Sequence, residues 1–414
     1  MTEASVATLT EERINWKEVL PVLLIAGLGF MVDVYDVIIF AIVRISSLES
    51  IGVPKAQLLP TGVFLLDMQL AGMVVGGFIW GVVGDKKGRR AALFGSIILY
   101  SLANLLNAAV HHVELYAALR FIAGIGLAGE IGAAMTIAAE VMPAKHRAYG
   151  TAIVAGMGVF GSIIASAVGD LMPWRAAYVT CGVLGFLLML VRLQMKETVH
   201  FNKIKDDSQI ERGSLRLFFS SPERIIRALR CVLAAVPIWF VFGVLISFAP
   251  EVAGAHGAVG AVSIAQVALV YSFGETTGEV GSGIVSQLLK SRRKTMMLFV
   301  AGSTLCTIIL FTAPASMYSW ICFPLGIFVG VWSVVVTSAA EQFGTNLRST
   351  ATTLVPNMVR ASAIPITTGF SYLSIYIGAS KAACLIGMVC YALAFYSISR
   401  MPETFGRELD FVES

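Results

Sequence analysis

Charged residues are scarce in this 414-residue chain. Asp, Glu, Lys and Arg make up 14% of the sequence, against about 25% in soluble proteins. Cysteine and histidine are also rare, with six and five copies, and neither shows the spacing of a zinc site, a disulfide framework or a catalytic centre. These shortages exclude a soluble globule, a disordered chain, a coiled coil and a nucleic-acid-binding protein. They also argue against an enzyme.

The abundant residues are apolar. Hydrophobic side chains form 57% of the chain, and the mean hydropathy is +0.80. This amount is close to the roughly 240 apolar residues that twelve membrane spans of about 20 residues would need. The pattern therefore predicts an all-α membrane protein with twelve transmembrane helices. The first six apolar runs are 19–43, 58–83, 91–110, 115–141, 149–168 and 176–193, and the second six are 231–250, 262–289, 296–313, 320–340, 354–376 and 382–398.

A long polar stretch separates the two sets of runs. It predicts an N-terminal six-helix bundle at residues 1–195, a cytoplasmic linker at 196–230 and a C-terminal six-helix bundle at 231–414. In this arrangement 24 of the 30 Lys and Arg residues fall on the side of the membrane that holds both termini, and four fall on the other side. Because positive residues near span ends are retained in the cytoplasm, both termini are expected to be cytoplasmic.

An internal repeat relates the two sets of runs. Glu140 and Arg147, seven residues apart, recur as Glu341 and Arg348, and the Met-x-Glu-Thr sequence at 195–198 recurs at 401–404. Each half is therefore interpreted as a six-span copy of the other. Repeated halves with a binding site near the midplane between them are the architecture of alternating-access transporters.

Four motifs resemble those of the major facilitator superfamily, and they cover nearly the whole chain. They are G-x-x-x-D-[RK]-x-G-R-[RK] at 81–90, R-x-x-x-G-x-G at 120–126, E-x-x-P-x-x-x-R at 140–147 and P-E-T-x-G-R-x-L at 402–409. The last two resemble the branch that holds sugar porters, organic-ion carriers and proton-coupled metabolite symporters. The resemblance implies the major facilitator fold, in which two six-helix repeats expose a central site alternately to each side.

The first and fourth spans narrow this resemblance. The sequence Asp33-Val-Tyr35-Asp36 is similar to the pattern of phosphate, lactate, aromatic-acid and metabolite:proton symporters. Glu130 stands in a sequence similar to that of metabolite symporters, where phosphate symporters have Asp-Tyr-Pro. The seventh span lacks the paired Gln of sugar porters, which argues against a hexose substrate. The resemblance therefore implies metabolite symport with protons as the coupling ion and without a cofactor.

Four charged residues inside predicted spans are the candidates for proton coupling: Asp33, Asp36, Arg120 and Glu130. Asp33 and Asp36 share a helix face, and a carboxylate inside a membrane must be neutralised, paired or hydrated. Arg120 and Glu130 lie about three turns apart, so each needs a partner from another span. We expect Arg120 to pair with Asp36, and Asp36 to carry the proton. Alternatively, one acid or Arg120 is only a structural brace, and Glu130 contacts substrate, relays a proton or fills space.

Arg360 is the most prominent candidate in the second half. It lies in an otherwise uncharged span between Pro356 and Pro365, which free backbone groups to face a cavity, and a guanidinium can bind a carboxylate bidentately. The alternative is an Arg held permanently by an acid such as Glu275. Glu275 and Glu279 also suit a proton, a cation or a solvated wall, and the aromatic residues could serve only packing. The predicted substrate-binding residues are Arg360, Asn357, Tyr35, Glu275, Glu279, Trp239, Tyr271 and Trp332.

A third set of residues predicts a gate at the cytoplasmic helix ends. The motif at 81–90 combines an acid, a glycine that permits a turn and basic residues. It can therefore form charge pairs that break when the cytoplasmic side opens. Gln287 replaces Asp85 in the second repeat, which predicts a weaker gate there. The predicted gating residues are Gly81, Asp85, Gly88, Arg89, Arg90, Glu140, Arg147, Glu341 and Arg348.

These features together predict a proton-coupled symporter that imports a small organic anion, a carboxylate metabolite, by alternating access. The expected partners are this anionic small molecule and membrane lipid, without nucleic acid or metal. The protein is expected to act as a monomer in a bacterial inner membrane. Two alternatives stay open: a proton-antiport exporter of organic cations or drugs that uses Asp33, Asp36 and Glu130, and a non-transporting receptor on a transporter scaffold.

Overall fold

The computed structural model describes residues 16–142, 147–193, 218–254, 262–343 and 345–406. Every regular element within these ranges is a helix, and no β-strand occurs among them. The predicted all-α class is therefore confirmed. The long apolar runs of the sequence satisfy their backbone hydrogen bonds within each helix, which is the arrangement that a lipid environment requires.

The N half, defined here as residues 16–193, has six α-helices among its described residues. A 3-10 turn at Lys55–Gln57 leads into the second helix, and Gly88 lies between the second and third. Gly88 has a φ of 100°, a conformation that glycine adopts without the clash of a Cβ atom. The helices are α1 Trp16–Ser50, α2 Leu58–Lys87, α3 Arg89–Asn107, α4 Val113–Val141, α5 Arg147–Leu171 and α6 Trp174–Arg192.

The C half, defined as residues 218–406, is more interrupted. Three of its predicted spans each consist of two or more helical pieces. The helices are α7 Pro222–Phe240, a π-helical segment Val241–Ile246, α8 Ala249–Gly254, α9 Ile264–Leu288, α10 Arg292–Thr312, α11 Tyr318–Val329, α12 Trp332–Gln342, α13 Thr345–Ala361, α14 Ala363–Ile377 and α15 Ala379–Arg400, with a 3-10 turn at Ala315–Met317 before α11.

Proline and glycine account for these interruptions. Pro365 cannot donate a hydrogen bond to the carbonyl of Ala361, and α13 ends at Ala361. The π-helical segment follows Pro237 in α7, and such segments are frequent at functional sites. Gly330 separates α11 from α12 and lies directly against the backbone of α9, where a Cβ atom would meet Glu279.

The packing of the helices places the two halves against each other along two seams. Within the N half, α2 packs along α4 and α1 along α5, and within the C half α9 packs along α11. Between the halves, α5 packs against α9, and α2 packs against α13 and α14. The second seam brings the middle of α1 and α2 close to the break between α13 and α14, which is where the charged residues meet.

Seven helical segments among the described residues are long and apolar enough to cross a membrane. Large apolar side chains such as Leu187, Leu305 and Ile375 are more than half exposed, as expected for helices that face lipid. The count of twelve spans, the cytoplasmic position of both termini and the boundaries at 195 and 230 stay predictions. The seven segments are Trp16–Ser50, Lys55–Gly84, Trp174–Arg192, Pro222–Ile246, Arg292–Thr312, Ala315–Gln342 and Ala379–Arg400.

Candidate functional site

Asp33 and Arg360 form a buried ion pair between the two halves. Arg360 donates two parallel hydrogen bonds to the Asp33 carboxylate, from Nη1 to Oδ1 at 3.1 Å and from Nη2 to Oδ2 at 2.5 Å. The side chains are 1% and 6% exposed. This bidentate geometry matches the planar fork of a guanidinium to a carboxylate and is among the strongest hydrogen-bonding arrangements in proteins.

The surroundings of Arg360 are mostly apolar. Its guanidinium carbon lies 5.9 Å from the ring centre of Trp239, and Nη1 also contacts the sulfur of Met73 at 3.5 Å. The helix ends one residue after Arg360, because Pro365 breaks the hydrogen-bond ladder there. Pro365, which the sequence singled out, thus places this cation at a break between two helices, opposite the middle of α1, whereas Pro356 lies inside α13.

Asp36 lies in a separate cluster that belongs entirely to the N half. Arg120 Nη1 is 3.4 Å from Asp36 Oδ1, and Gln69 Nε2 donates to Oδ2 at 2.5 Å. Arg120 Nη2 donates in turn to Gln69 Oε1, and the Cys181 thiol donates to Asp36 Oδ1 at 3.6 Å. The predicted pairing of Arg120 with Asp36 is confirmed. Sequence reasoning missed Gln69, although a polar amide within an apolar run was a signal for it.

Aromatic rings complete this cluster. The guanidinium carbon of Arg120 lies 4.5 Å from the ring centre of Phe40 and 5.9 Å from that of Tyr178. Arg120 and Asp36 are both 0% exposed. A charge pair with several hydrogen bonds and ring contacts from α1, α2, α4 and α6 is well suited to hold these four helices in one arrangement.

Glu130 has its own partner in Arg192. Arg192 Nη1 lies 2.7 Å from Glu130 Oε2, and the hydroxyl of Ser96 donates to Oε1 at 3.1 Å. Gly29 makes room for this pair, because a Cβ atom at that position would overlap Arg192 and Glu130. Arg192 is the last residue of α6 and is 1% exposed.

The alternative for Arg360 was an Arg held by an acid such as Glu275, and the structure shows Arg360 held by an acid, although that acid is not Glu275. Asp33 takes that place, whereas Glu275 accepts a hydrogen bond from the hydroxyl of Tyr271 at 3.1 Å. Glu279 follows one turn later on α9 and is 5% exposed. The two residues share a face of α9, so the structure brings the predicted acids together but separates them from the predicted cation.

The remaining predicted substrate residues divide between two environments. Trp239 contacts Arg360 and lies in one series of rings with Tyr271. Tyr35 instead donates its hydroxyl to the carbonyl of Ala177 at 2.9 Å. Asn357 reaches across to α4, donating from Nδ2 to the Ala128 carbonyl at 3.4 Å. Trp332 begins α12 and is 7% exposed. It does not belong to the series of ring contacts that joins Trp239 to Tyr271 among the described residues.

Polar contacts at Arg44 and at Asp67 also join the halves, and sequence reasoning did not single them out. Arg44 at the end of α1 pairs with Glu251 of α8 at 2.6 Å and lies 4.5 Å from the ring centre of Phe248. Asp67 of α2 accepts hydrogen bonds from Thr367 at 2.5 Å and Thr368 at 2.6 Å of α14. Spacing along the chain does not reveal such partners in the other half.

The predicted gating residues are described in part. Gly88 adopts the positive φ that the predicted turn requires, and a Cβ atom at Gly81 would lie 3.9 Å from Thr353 of α13. Arg90 donates to the carbonyl of Leu193 at 3.4 Å. The side chains of Asp85, Arg89, Glu140, Arg147 and Arg348 lie outside the described residues.

Glu341 belongs to a network at the end of the C half. Arg292 Nη2 lies 3.0 Å from Glu341 Oε1, and the hydroxyl of Thr404 donates to Oε2 at 2.7 Å. Glu403 caps the start of α10 by accepting from Ser291 and from the backbone N–H of Arg292. Partial burial alone would raise the pKa of Glu403, but these hydrogen bonds, with those from the Phe405 and Thr404 amides, lower it overall.

The fold and these sites define a multi-pass helical membrane protein in which buried charges connect two packed halves. The Major Facilitator Superfamily model matches residues 22–368, and the chain belongs to this superfamily. It is therefore an integral membrane transporter rather than an enzyme. The predicted membrane location and the predicted transporter class are both confirmed.

Two relatives match over most of their length. The chain is 24% identical over 391 residues to the "Probable 4-methylmuconolactone transporter" of Cupriavidus pinatubonensis, covering 91% of this chain and 89% of that protein. It is 25% identical over 382 residues to the "Sialic acid transporter NanX" of Escherichia coli, covering 89% and 90%. Among solved structures, the proton:xylose symporter XylE bound to 6-bromo-6-deoxy-D-glucose has a TM-score of 0.72 at 16% identity, over 95% of this chain and 98% of that one. This likeness shows the fold.

Proposed function

We propose that the protein is a proton-coupled symporter that imports a small organic anion, a carboxylate, by alternating access. It acts as a monomer with twelve spans and both termini in the cytoplasm of a bacterium. The observation that carries the proposal is the bidentate pair of Asp33 and Arg360 between the halves. The names of the two relatives, which refer to a muconolactone and a sialic acid, support an organic acid as the substrate.

The substrate carboxylate is the chemical equivalent of the Asp33 side chain. Arg360 presents its planar fork to a carboxylate, and a second carboxylate of the same geometry can take that position. A buried guanidinium without a countercharge is costly, by about 2.5 to 3.5 kcal/mol even on insertion scales. The anion therefore binds by replacing Asp33 rather than by adding to an unpaired cation.

Proton coupling follows from this replacement. Once displaced, Asp33 would be an isolated carboxylate in an apolar site, which is unfavourable unless it takes up a proton. Anion binding and proton binding then favour each other, and both are carried when the halves move. Asp36 keeps Arg120 and Gln69 within the N half, so the proposed proton carrier is Asp33 rather than Asp36.

The contacts at the two ends of the bundle provide the gates of this cycle. Arg44 and Glu251 join the halves at the end where α1 finishes, which the proposed orientation places outside the cell. Gly81, Gly88 and Arg90 lie at the opposite end, with the rest of the predicted cytoplasmic gate. In this scheme the outer pair holds while the cytoplasmic side is open and separates when the substrate enters.

Uptake by purified protein in vesicles tests the proposal directly. Radiolabelled benzoate, lactate, sialic acid and an organic cation, tetraethylammonium, are presented with an imposed proton gradient, alkaline inside. The expected result is uphill accumulation of at least one carboxylate that a protonophore abolishes. Empty vesicles and Arg360→Ala protein serve as controls.

The competing functions give different results in the same assay. Accumulation of tetraethylammonium in inside-out vesicles with an acidic interior, without carboxylate movement, would support the exporter of organic cations. Carboxylate binding without any gradient-driven or exchange flux would support a receptor. Either outcome would contradict the proposed symport.

A further inference from the structure

Asp67 of α2 lies on the seam between the halves without a countercharge. Its Oδ1 is 2.5 Å from the hydroxyl oxygen of Thr367, and its Oδ2 is 2.6 Å from that of Thr368, both on α14. In the part of the chain that the structure describes, Asp67 belongs to no ion pair. A carboxylate inside a membrane is costly unless it is paired or hydrated. An acid held by two neutral hydroxyls is therefore a candidate to bind a proton.

The contact offers too few hydrogens for an ionised Asp67. The hydroxyl oxygen of Thr367 also lies 2.8 Å from the carbonyl oxygen of Ala363, one turn earlier on α14. The contact thus has three close oxygen pairs, whereas the two threonine hydroxyls supply two hydrogens. An ionised carboxylate and a carbonyl only accept, so one pair would have no hydrogen between its oxygens.

A proton on Asp67 supplies the third hydrogen. Oδ1 then donates to Thr367, Thr367 donates to the carbonyl of Ala363, and Thr368 donates to Oδ2. The bond between Asp67 and Thr367 is reversed relative to the ionised state, in which both hydroxyls donate to the carboxylate. The protonated state therefore satisfies every close oxygen pair without leaving a charge in the seam.

The surroundings of the contact also favour a neutral group. Asp67 is partly buried, and Thr367 is 0% exposed. Thr368 shares a face of α14 with Tyr372 and Ile375, four and seven residues later, which are 60% and 74% exposed, as expected for side chains that face lipid. Because lipid offers no hydrogen bond to an ionised carboxylate, this side of the seam cannot compensate the charge.

The helices packed against α2 do not compensate Asp67 either. These helices are α1, α3, α4, α13 and α14. Their ionisable side chains nearest this part of the bundle are Asp33, Asp36 and Arg44 of α1, Tyr100 of α3, Arg120 of α4, Arg360 of α13 and Tyr372 of α14. None of them bonds to Asp67 among the described residues. The charged members pair with one another or, in the case of Arg44, with Glu251.

Asp67 lies between the proposed anion site and the pair at the outer end. It stands six residues before Met73, which contacts Arg360, and Thr367 stands seven residues after Arg360. At 1.5 Å per residue, both intervals amount to about 10 Å along the helices. In the other direction along α2, a Cβ atom at Gly62 would meet the side chain of Arg44. The Asp67 contact therefore belongs to the part of the seam that closes the outer side in the proposed orientation.

We propose that Asp67 is a second proton-binding site, separate from Asp33, and that its proton stabilises closure of the outer side. When the proton is lost, the carboxylate is left uncompensated in the seam. Separation of α2 from α14, which admits water to Asp67, then becomes more favourable. The inference rests on the proposed function only for the movement of the halves, since Asp67 contacts neither Asp33 nor Arg360.

Infrared spectroscopy of the purified full-length protein detects the proton itself. At pH 5 the parent should show the carbonyl stretch of a protonated carboxyl group that is absent from Asp67→Asn, and this band should fade as the pH is raised to 9. Asp33→Asn is the matched control and should retain the band. Thr367→Val removes the hydroxyl that the proton bonds, so it should shift the band.

Thiol labelling from outside measures closure. Ser166→Cys in the Cys384→Ser background reports on the seam between α5 and α9, and variants are compared at the same pH so that thiol reactivity cancels. Asparagine has the shape of the protonated acid and carries a donor and an acceptor. At pH 8 the Asp67→Asn protein should therefore label about fivefold or more slowly than the parent, and at pH 5.5 the two rates should converge.

A second variant keeps this test independent of the acid. Thr367→Val/Thr368→Val retains the shape of both side chains and removes both hydroxyls. It should label faster than Asp67→Asn at both pH values. Equal rates in these two variants would count against the contact with α14.

Three outcomes would overturn the inference. They are the absence of a carboxyl band that depends on Asp67, a band that persists unchanged to pH 9, and equal labelling of the parent and Asp67→Asn at pH 8. Uphill carboxylate uptake by the parent is a separate measurement, so the proposed function would stand after any of them. Loss of that uptake with the Asp67 results intact would instead count against the proposed function alone.

Discussion

Asp33 and Asp36 lie three residues apart on α1 and are both almost fully buried, yet their partners belong to different parts of the molecule. Asp33 pairs with Arg360 of the C half, whereas Asp36 pairs with Arg120 and Gln69 of the N half. When halves rotate against each other, a pair within one half moves as a unit, and a pair between halves must break and reform. The location of the partner therefore distinguishes a coupling acid from a brace.

Removal of Arg360 should have the largest effect, which is a loss of carboxylate affinity. Arg360→Ala eliminates the cation that both Asp33 and the substrate use. Truncation of one partner of a buried charge pair costs about 2 to 5 kcal/mol in binding, or roughly 30- to 5,000-fold. Arg360→Lys keeps the charge but loses the planar fork, so it should weaken binding less. Calorimetry with a carboxylate that binds the parent measures both values.

Folding of the variant is the control for this prediction. Arg360→Ala protein should elute as a monodisperse peak and retain its helical circular dichroism spectrum. Affinity within a few-fold of the parent in such protein would remove Arg360 from the substrate site.

The Asp36 cluster should respond in stability rather than in coupling. Asp36→Asn leaves Arg120 buried without its countercharge, and breaking such a pair costs about 3 to 5 kcal/mol. Thermal unfolding of the protein in detergent should show this loss. The double variant Asp36→Asn/Arg120→Met, which removes both charges, should recover part of it. An unchanged unfolding temperature in Asp36→Asn would contradict the bracing role of this cluster.

The pair of Arg44 and Glu251 should affect the balance of conformations. Arg44→Gln removes a contact made only while this end is closed, and a coupling of about 1 to 3 kcal/mol shifts the populations by roughly 5- to 150-fold. Ser166→Cys, which lies on the seam between α5 and α9, should then react faster with a thiol reagent added outside. The background carries Cys384→Ser, because Cys384 is the exposed cysteine among the described residues.

Arg175 supplies the matched control for Arg44. It donates to the carbonyls of Ala108 and Val110 within the N half, so Arg175→Gln removes a charge without removing a contact between halves. Equal labelling rates in the two variants would argue against a gate at Arg44.

Glu403→Gln should have the smallest effect, which is a slight change in how stability depends on pH. Its pKa is lowered below the ordinary value of 4.5, so its contribution to stability is present above pH 4.5 and is lost as the pH falls through the lower folded-state pKa. Because Glu403 is exposed to water, the contribution is below about 1 kcal/mol. The unfolding temperature of the parent should therefore fall slightly more than that of Glu403→Gln between pH 6 and pH 4. Parallel curves would contradict the assigned role of this cap.

The sequence predicted the pairing of Asp36 with Arg120 but did not predict the pairing of Asp33 with Arg360. Arg120 and Asp36 were paired correctly, because both are charged residues inside spans and each needs a countercharge. Asp33 and Arg360 were both identified, but their pairing depends on how two halves dock, and spacing along one helix carries no information about that.

The buried contacts of Gln69, Arg192 and Arg44 were not predicted either, also for physical reasons. Gln69 is neutral, so the search for charges inside apolar runs passed over it. Arg192 and Arg44 stand at the ends of apolar runs, where an Arg side chain can reach either water or a buried acid. Only the packing of Gly29 against α4 and α6, and of α1 against α8, decides between these two environments.

The number of protons taken up when the anion binds tests the central claim most directly. Calorimetry of a bound carboxylate in buffers of different ionisation enthalpy gives this number at a fixed pH. Displacement of Asp33 from Arg360 predicts uptake of about one proton per anion in the parent and in Asp36→Asn, and no uptake in Asp33→Asn. Binding without proton uptake in the parent, or uptake that disappears in Asp36→Asn but persists in Asp33→Asn, would contradict the account.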